Sequence, residues 1–289
     1  MGKEIFIRLG QIPRQLLVGA CNLIGKYSTV LLYDNKVIGS GTFLQFGLHS
    51  GILTAHHVIG EAIGINAFGN SDDRKLGLAI TENIHRFEME LQYIQAYEIG
   101  KPRNKNYNEY GPDLIFLDIL DQNKLGTIKA NKSFWNIPSK TDLINDCYKD
   151  ENGIWAVCGL PQEWVKYETS NCNFGKVIGG QCLVGFTGVE QRYDKKGYDY
   201  FDMSINCDSK YDFPETFKGM SGGGLWKVPL SFPKGSDSPE DLIVSNPIFS
   251  GVIFYQTEIK DDYRVLRSHG AKSIYEVLPK VLEETEHRS

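Results

Sequence analysis

The apolar residues of this chain fall in short runs that turn residues cut off early, and that spacing limits the fold more than any other feature. From Ser28 the segment STVLLYDNKVIGSGTFLQFGLHSGILTAHHVIG is rich in β-branched and aromatic residues and is broken at Asp34-Asn35, Gly47 and Ser50-Gly51. LGLAITENI, DLIFLDIL, GIWAVCGL, GKVIGGQCLVGF, DYFDMSIN and IFSGVIFYQT repeat the style. Many short strands with frequent turns predict a sandwich or a barrel. Helical spacing appears only near the end. In SIYEVLPKVLEE, Ile274, Val277, Leu278, Val281 and Leu282 share one face, Ser273 and Glu276 form a capping-box start, and Pro279 predicts a kink. The polar stretch 121–146 carries few strand signals and reads as the connection between two β units.

At 289 residues the chain can bury one large core or two smaller ones, and 41% hydrophobic residues suit a folded protein. A balance of 31 Lys and Arg against 36 Asp and Glu leaves a formal net charge of -5, which argues against nucleic acid or an anionic membrane surface as a partner. The basic run Lys101, Arg103 and Lys105 reads as a solvated loop. Charges at Lys3, Glu4, Arg8 and Arg14 interrupt the first apolar residues before they reach signal-peptide length. Phe6 stands where a myristoylation signal needs Ser or Thr, and no segment approaches the roughly 20 apolar residues of a membrane span. The expected location is cytoplasmic. Cys21, Cys147, Cys158, Cys172, Cys182 and Cys207 include no C-x-x-C pair, so neither a zinc cluster nor a redox motif is expected, and neither metal nor cofactor is called for. Free thiols are expected in that compartment, with three disulfides as the alternative.

FKGMSGGGLW, at 217–226, sets Ser221 among glycines between large apolar residues. Glycine loses more backbone entropy on folding than any other residue, so the cluster needs a geometric reason. A serine hydroxyl becomes a useful nucleophile only beside a base. His56 and His57 supply candidates at the end of an otherwise apolar strand, and Asp113 opens DLIFLDIL. GMSGG also satisfies the G-x-S-x-G pattern of α/β-hydrolases, whose base follows the serine and would here be His269 or His287. The strand-rich pattern argues against that fold.

TAHHV, DLIFL and GMSGG, in that order, resemble the T-x-x-H, D-[LI]-x-x-[LI] and G-x-S-G-G motifs of the trypsin-like (chymotrypsin-fold) serine peptidases. The resemblance extends over about 28–257, with GSGTFL and GVIFYQ in the places of family strands. It is closer to the bacterial and intracellular branches than to secreted digestive enzymes, since no export signal is seen and no cysteine follows His57. It implies a mainly β fold of two antiparallel six-stranded β-barrels, at 28–122 with His57 and Asp113 and at 147–266 with Ser221. A connection at 123–146, an N-terminal extension at 1–27 and a C-terminal helix at 267–289 complete the expected organisation. By the same resemblance His57 is general base, His56 a flanking residue, Asp113 the holder of the tautomer, and Ser221 the nucleophile. The N–H groups of Gly219 and Ser221 would form the oxyanion hole, with Gly222 and Gly223 easing the chain away from the nucleophile.

The chain departs from the family at Met220, where secreted members carry an Asp that pairs with a newly cut amino terminus, and RQLLVGA resembles a cleavage site only faintly. Either the enzyme folds active, or a protein partner or the substrate orders its oxyanion loop. Glu215 falls at the family's specificity-pocket floor and implies a preference for Lys or Arg, with Asp212 as a competing acid. Phe254, Tyr255 and Gln256 form the expected substrate-binding strand, Gln256 narrowing the pocket mouth. The expected function is endopeptidase action on protein or peptide substrates through an acyl-enzyme, by family analogy as an effector in bacterial defence or stress. The alternatives are a peptide-binding pseudo-enzyme and a partner-activated protease subunit.

Overall fold

The computed structural model describes residues 12–70, 73–80, 86–102, 111–137, 142, 145, 153–168, 176–178, 183–207, 214–236 and 238–286, with only the backbone at 86 and in the strands between 166 and 187. Helix α1 (Arg14–Gly25) occupies the expected N-terminal extension and covers the stretch RQLLVGA. The first sheet follows, with β1 (Ser28–Tyr33), β2 (Lys36–Phe46), β3 (His49–Thr54), β4 (Lys75–Ala79), β5 (Arg86–Glu90), β6 (Ile94–Gly100) and β7 (Leu114–Ile119). Its order is β5-β4-β1-β2-β3-β7-β6, and all of these pairs are antiparallel. Asp34 and Asn35 both take positive φ, 47° and 62°, as the tight β1–β2 turn requires. Every residue of β3 and β7 is buried, because both strands lie inside the sheet with packing on each face. Helix α2 (His56–Ala62) leaves the end of β3 after a single residue.

The expected connection contains a helix, α3 (Gln122–Asn131), and a short strand, β8 (Trp135–Asn136), that pairs parallel with β2. Helix α3 buries only Leu125 and Ile128, too narrow a stripe to read from periodicity, and begins where Asp121 accepts the N–H groups of Asn123 and Lys124 at 2.9 and 3.1 Å. The second sheet comprises β9 (Gly153–Gly159), β12 (Leu183–Thr187), β13 (Val189–Lys195), β14 (Tyr198–Asn206), β15 (Gly224–Ser231), β16 (Ile243–Val244), β17 (Ile248–Gln256) and β18 (Tyr263–His269), while β10 (Lys166–Glu168) and β11 (Lys176–Ile178) form a separate ribbon. Its order is β12-β9-β15-β17-β18-β14-β13, with β16 on β15. The protein is therefore mainly β, with two antiparallel sheets curled into half-barrels and a C-terminal helix, the chymotrypsin-like arrangement. Among the described residues each sheet has eight strands, against the six expected, because short outer strands join both.

Strand β18 runs to His269, into the expected helix, since Ser268 and His269 pair with β14 on one side and β17 on the other. A π-helical turn (Ser273–Val277) leads into α4 (Leu278–Glu286). The wide turn accommodates Pro279, which has no N–H to donate. Ser273 does not build the expected capping box. Its N–H and hydroxyl, with the Lys272 N–H, are bound by the Asp199 carboxylate of β14 at 2.8 to 3.0 Å. No helix among the described residues is long and apolar enough to cross a membrane. Cys21, Cys158 and Cys207 are not in disulfides, whereas Cys147, Cys172 and Cys182 lie outside the described residues.

The two sheets share a core. Leu44, Leu53, Phe116 and Trp135 of the first pack with Ala156, Trp226 and Phe249 of the second and with Ile274, Leu278 and Leu282 of the C-terminal helix. Fully burying a side chain of this size contributes about 1.5–3 kcal/mol. Tyr27, Trp135 and Phe249 surround Trp226 with ring centroids 5.4, 5.5 and 4.9 Å away. Trp135 donates to the Tyr275 hydroxyl, which donates to the Phe249 carbonyl, so one residue of the terminal helix ties both sheets. His269 Nε2 also joins the two sheets, accepting the Asp113 N–H at 2.9 Å. Its proton therefore sits on Nδ1, which is buried without an acceptor among the described residues.

Burial among Tyr198, Tyr200 and Phe254 pushes the His269 pKa down to about 4, against the opposing charges of Asp113 and Asp199. The unfolded chain takes up this proton near its ordinary 6.5 and the folded one does so only near 4, so stability is full above 6.5 and declines as pH falls between those values. The expected loss is about 3 kcal/mol. Urea midpoints followed by tryptophan fluorescence should drop more steeply with acid in the wild type than in His269→Gln. Equal slopes would contradict the assignment.

Candidate active site

Pairing of Thr54 with Ile115 brings the residues after β3 beside those before β7, so Asp113 lies next to the first turn of α2. The Asp113 carboxylate is fully buried. One oxygen accepts the His57 N–H at 2.9 Å, and the other is 2.6 Å from His57 Nδ1. Two bonds from one residue fix the carboxylate and the ring together, directing the Nδ1 proton at Asp113 and leaving Nε2 for a partner. Burial lowers the His57 pKa, but the Asp113 hydrogen bond and charge, with the charge of Glu61, outweigh it and raise the pKa above its ordinary 6.5. His56 departs to the other side, 2.8 Å from Glu98. Burial raises the Glu98 carboxyl, and the hydrogen bonds from His56 and Lys101 overcome this and hold it below its ordinary range. The sequence brings two histidines to this corner, and only His57 meets Asp113.

Ser221 reaches the same corner from the second sheet. Its carbonyl accepts the Ser40 N–H at 2.8 Å, and both it and the Val58 side chain crowd the space over Gly39. The next residue, Gly222, has φ 86°, donates its N–H to the Ile253 carbonyl at 2.7 Å and lies so close to Thr54 and the Ser40 carbonyl that a Cβ would collide with both. This close approach explains one glycine of the cluster.

Gly219 explains another. Met220 N donates to the Phe217 carbonyl at 3.0 Å, closing a turn whose third residue, Gly219, has φ 94°. That sign belongs to a type II turn and favours glycine. The Lys218 carbonyl accepts the Gln162 N–H at 2.7 Å, and because the two ends of a trans peptide point oppositely, the Gly219 N–H is directed away from Gln162. The rest of the loop is similarly held. Glu163 accepts the N–H groups of Glu215 and Thr216 at 2.7 and 3.2 Å. Gln256 accepts that of Phe217 at 2.9 Å, and the Thr216 hydroxyl accepts that of Lys218 at 3.2 Å. Gly223 N donates to the Met220 carbonyl at 2.8 Å. Along 215–223 only the N–H groups of Gly219 and Ser221 have no acceptor among the described residues. Met220 is fully buried with Phe217, Leu225 and Ile253, so apolar packing occupies the position where an activating Asp was looked for.

The expected substrate-binding residues separate. Gln256 joins the loop beside Ser221, its amide also donating to the Thr216 hydroxyl. Glu215 is exposed and engages through its backbone, its carbonyl accepting from Arg264. Tyr255 is half-buried beside Arg267, and Phe254 is buried against His269 and Tyr200, away from any surface a substrate touches. The competing acid Asp212 lies outside the described residues, as does His287. His269 binds the backbone of Asp113 and does not serve as base to Ser221, which removes the geometry an α/β-hydrolase needs. Sequence reasoning missed Gln162, Glu163 and Arg264 and read His269 only as an alternative base, because their partners Lys218, Glu215 and Asp113 are distant in the chain. Pro161 signals a turn before Gln162, but nothing local connects that turn to Ser221.

Neither a protein-family profile nor a curated protein matches the chain. Among solved structures it is similar to the inactive form of a serine-to-alanine mutant of Rv3671c from M. tuberculosis H37Rv, at 10% identity over 93% of each chain with a TM-score of 0.45. The architecture described above stands on this chain's own strand pairing.

Proposed function

We propose that the protein is a serine endopeptidase that cleaves protein or peptide substrates in the cytoplasm. Ser221 Oγ attacks the scissile carbonyl carbon while its proton passes to His57 Nε2. The oxyanion so formed accepts the N–H groups of Gly219 and Ser221. The C–N bond then breaks, His57 returns the proton to the leaving amine, and an ester on Ser221 remains. Water, deprotonated by His57, hydrolyses that ester and restores the hydroxyl. Asp113 keeps the imidazole in the tautomer that faces Ser221 and stabilises its charged form.

The observation that carries this reading is the hydrogen-bond pattern of the loop at 215–223. Among the described residues every N–H is committed except the two that would face the oxyanion, and the Lys218 carbonyl is turned away on Gln162. Preorganised donors of this kind typically contribute about 2.7–4 kcal/mol of transition-state stabilisation each. The same pattern favours an enzyme that folds active over one that waits for a partner, since no charged switch is needed to turn the loop.

A fluorophosphonate probe should label the wild type and leave Ser221→Ala unlabelled. His57→Ala should lose nearly all labelling and peptidase activity, whereas His56→Ala keeps most of both because His56 faces Glu98. Asp113→Asn should cost on the order of 10⁴-fold in kcat. Labelling of a serine other than Ser221, or equal loss at both histidines in folded protein, would remove the assignment.

The pH profile carries its own test. Only neutral His57 accepts the serine proton, so kcat/KM rises with pH through the His57 pKa, with a midpoint above about 6.5. Glu61→Gln removes one of the charges that raise this pKa and should move the limb to lower pH. A limb below 6.5 that ignores Glu61 would contradict the electrostatic account.

A further inference from the structure

Ser40 belongs to β2, in the first half-barrel, and is buried, yet each of its polar groups is bonded, two of them to the loop that carries Ser221. Its N–H donates to the Ser221 carbonyl at 2.8 Å, and its hydroxyl donates to the Gly219 carbonyl at 2.9 Å. The same hydroxyl accepts the Leu160 N–H at 3.1 Å, and the Ser40 carbonyl accepts the Thr54 hydroxyl at 2.7 Å. A carbonyl oxygen only accepts and a backbone N–H only donates, so the single hydroxyl proton has one place to go, toward Gly219. Thr54 stands three residues before His57 at the end of β3. One buried serine therefore touches the strand that delivers the histidine and the loop that delivers the nucleophile.

Its two bonds to the loop fall on alternate peptides. The peptides 218–219 and 220–221 have their carbonyls on the Gln162 and Gly223 N–H groups at 2.7 and 2.8 Å, and their own N–H groups, those of Gly219 and Ser221, have no acceptor among the described residues. The peptides 219–220 and 221–222 are held at both ends. Their N–H groups donate to the Phe217 and Ile253 carbonyls at 3.0 and 2.7 Å, and both of their carbonyls end on Ser40. A peptide is planar, so clamping the units on either side of 220–221 confines the direction of the Ser221 N–H, and clamping 219–220 confines the turn at Gly219. Met220 brings no charge to this task, and the anchor is a neutral hydroxyl from the opposite half-barrel.

We propose that Ser40 is a positioning residue for the oxyanion hole, its hydroxyl setting the two donor N–H groups by holding the Gly219 carbonyl between them. The proposal rests on the peptidase reading for its effect on rate, while its effect on the loop is independent of that reading. Loss of the hydroxyl frees the 219–220 peptide to rotate, which releases the Met220 N–H from the Phe217 carbonyl and misdirects the donors on both sides.

Ser40→Ala should lower kcat by about 10- to 100-fold with KM within about twofold of the wild type, a smaller loss than the roughly 10²–10³ that follows removal of a donor itself. Ser250→Ala removes another buried hydroxyl, one bonded to the Ile248 carbonyl, and should lower the melting temperature without lowering kcat. Equal kcat losses in the two variants would mark a general effect of stability and overturn the proposal. Amide hydrogen exchange followed by NMR in Ser221→Ala reads the loop without catalysis, and adding Ser40→Ala should speed exchange at Met220 about tenfold. Unchanged exchange at Met220 overturns the proposal whether or not kcat falls, and so does a loss confined to KM. Should the wild type neither cut peptides nor react with the fluorophosphonate probe, the peptidase reading falls, and exchange at Met220 alone decides whether Ser40 holds the loop. If Ser40→Ala does not fold, Ser40→Cys, whose thiol is a weak donor, should show the same changes in smaller degree, and wild-type values would overturn the proposal.

Discussion

Everything at the candidate site depends on the burial of one carboxylate. Asp113 has no access to water, so its charge must be met from within, and it is met by the backbone and ring of His57. Its own N–H is taken by His269, whose burial keeps that ring neutral and therefore able to accept. The three partners come from α2, the approach to β7 and the end of β18. The half-barrels are consequently joined at this point by hydrogen bonds that only one protonation pattern satisfies, and packing around Trp226 joins them a second time.

The loop at 215–223 solves its ordering problem without such a charge. Where a salt bridge inside an apolar pocket would carry a desolvation penalty, Met220 simply packs, and the work of orientation passes to neutral or surface hydrogen bonds from Gln162, Glu163 and Gln256. Each is worth only about 1 kcal/mol on its own. Together they leave the Lys218 peptide a single orientation, because flipping it would strand the Gln162 N–H, while the Ser40 hydroxyl holds the following peptide by the Gly219 carbonyl.

The parts of this arrangement that were legible in the sequence are those encoded locally. The short apolar runs STVLLY and DLIFLDI, cut off by turn residues, reveal strands, and the spacing of Thr54 to His57 separates two adjacent histidines because one turn of chain sends them to opposite sides. What was not legible depends on partners far along the chain. Ser273 and Glu276 look like a self-contained cap, yet the acceptor is Asp199 on another strand. Helix α3 shows too few apolar positions to betray itself. Arg264 and Arg267 read alike in YRVLRSH, and only the location of Asp202 makes one of them a structural ion pair, while the other binds the Glu215 carbonyl and Gln256.

The anchoring of both sheets by residues 269–275 also sets an order of events during synthesis. His269 and Tyr275 are translated after the strands that they join, and until they emerge Asp113 lacks the acceptor of its N–H and the seam between Trp135 and Phe249 lacks its bridge. A nascent chain can thus present its first half-barrel, with His57 and Asp113 already translated, long before the corner that needs all of them is assembled. A ribosome that stops before this segment releases a chain with the motif residues but without the geometry that relates them.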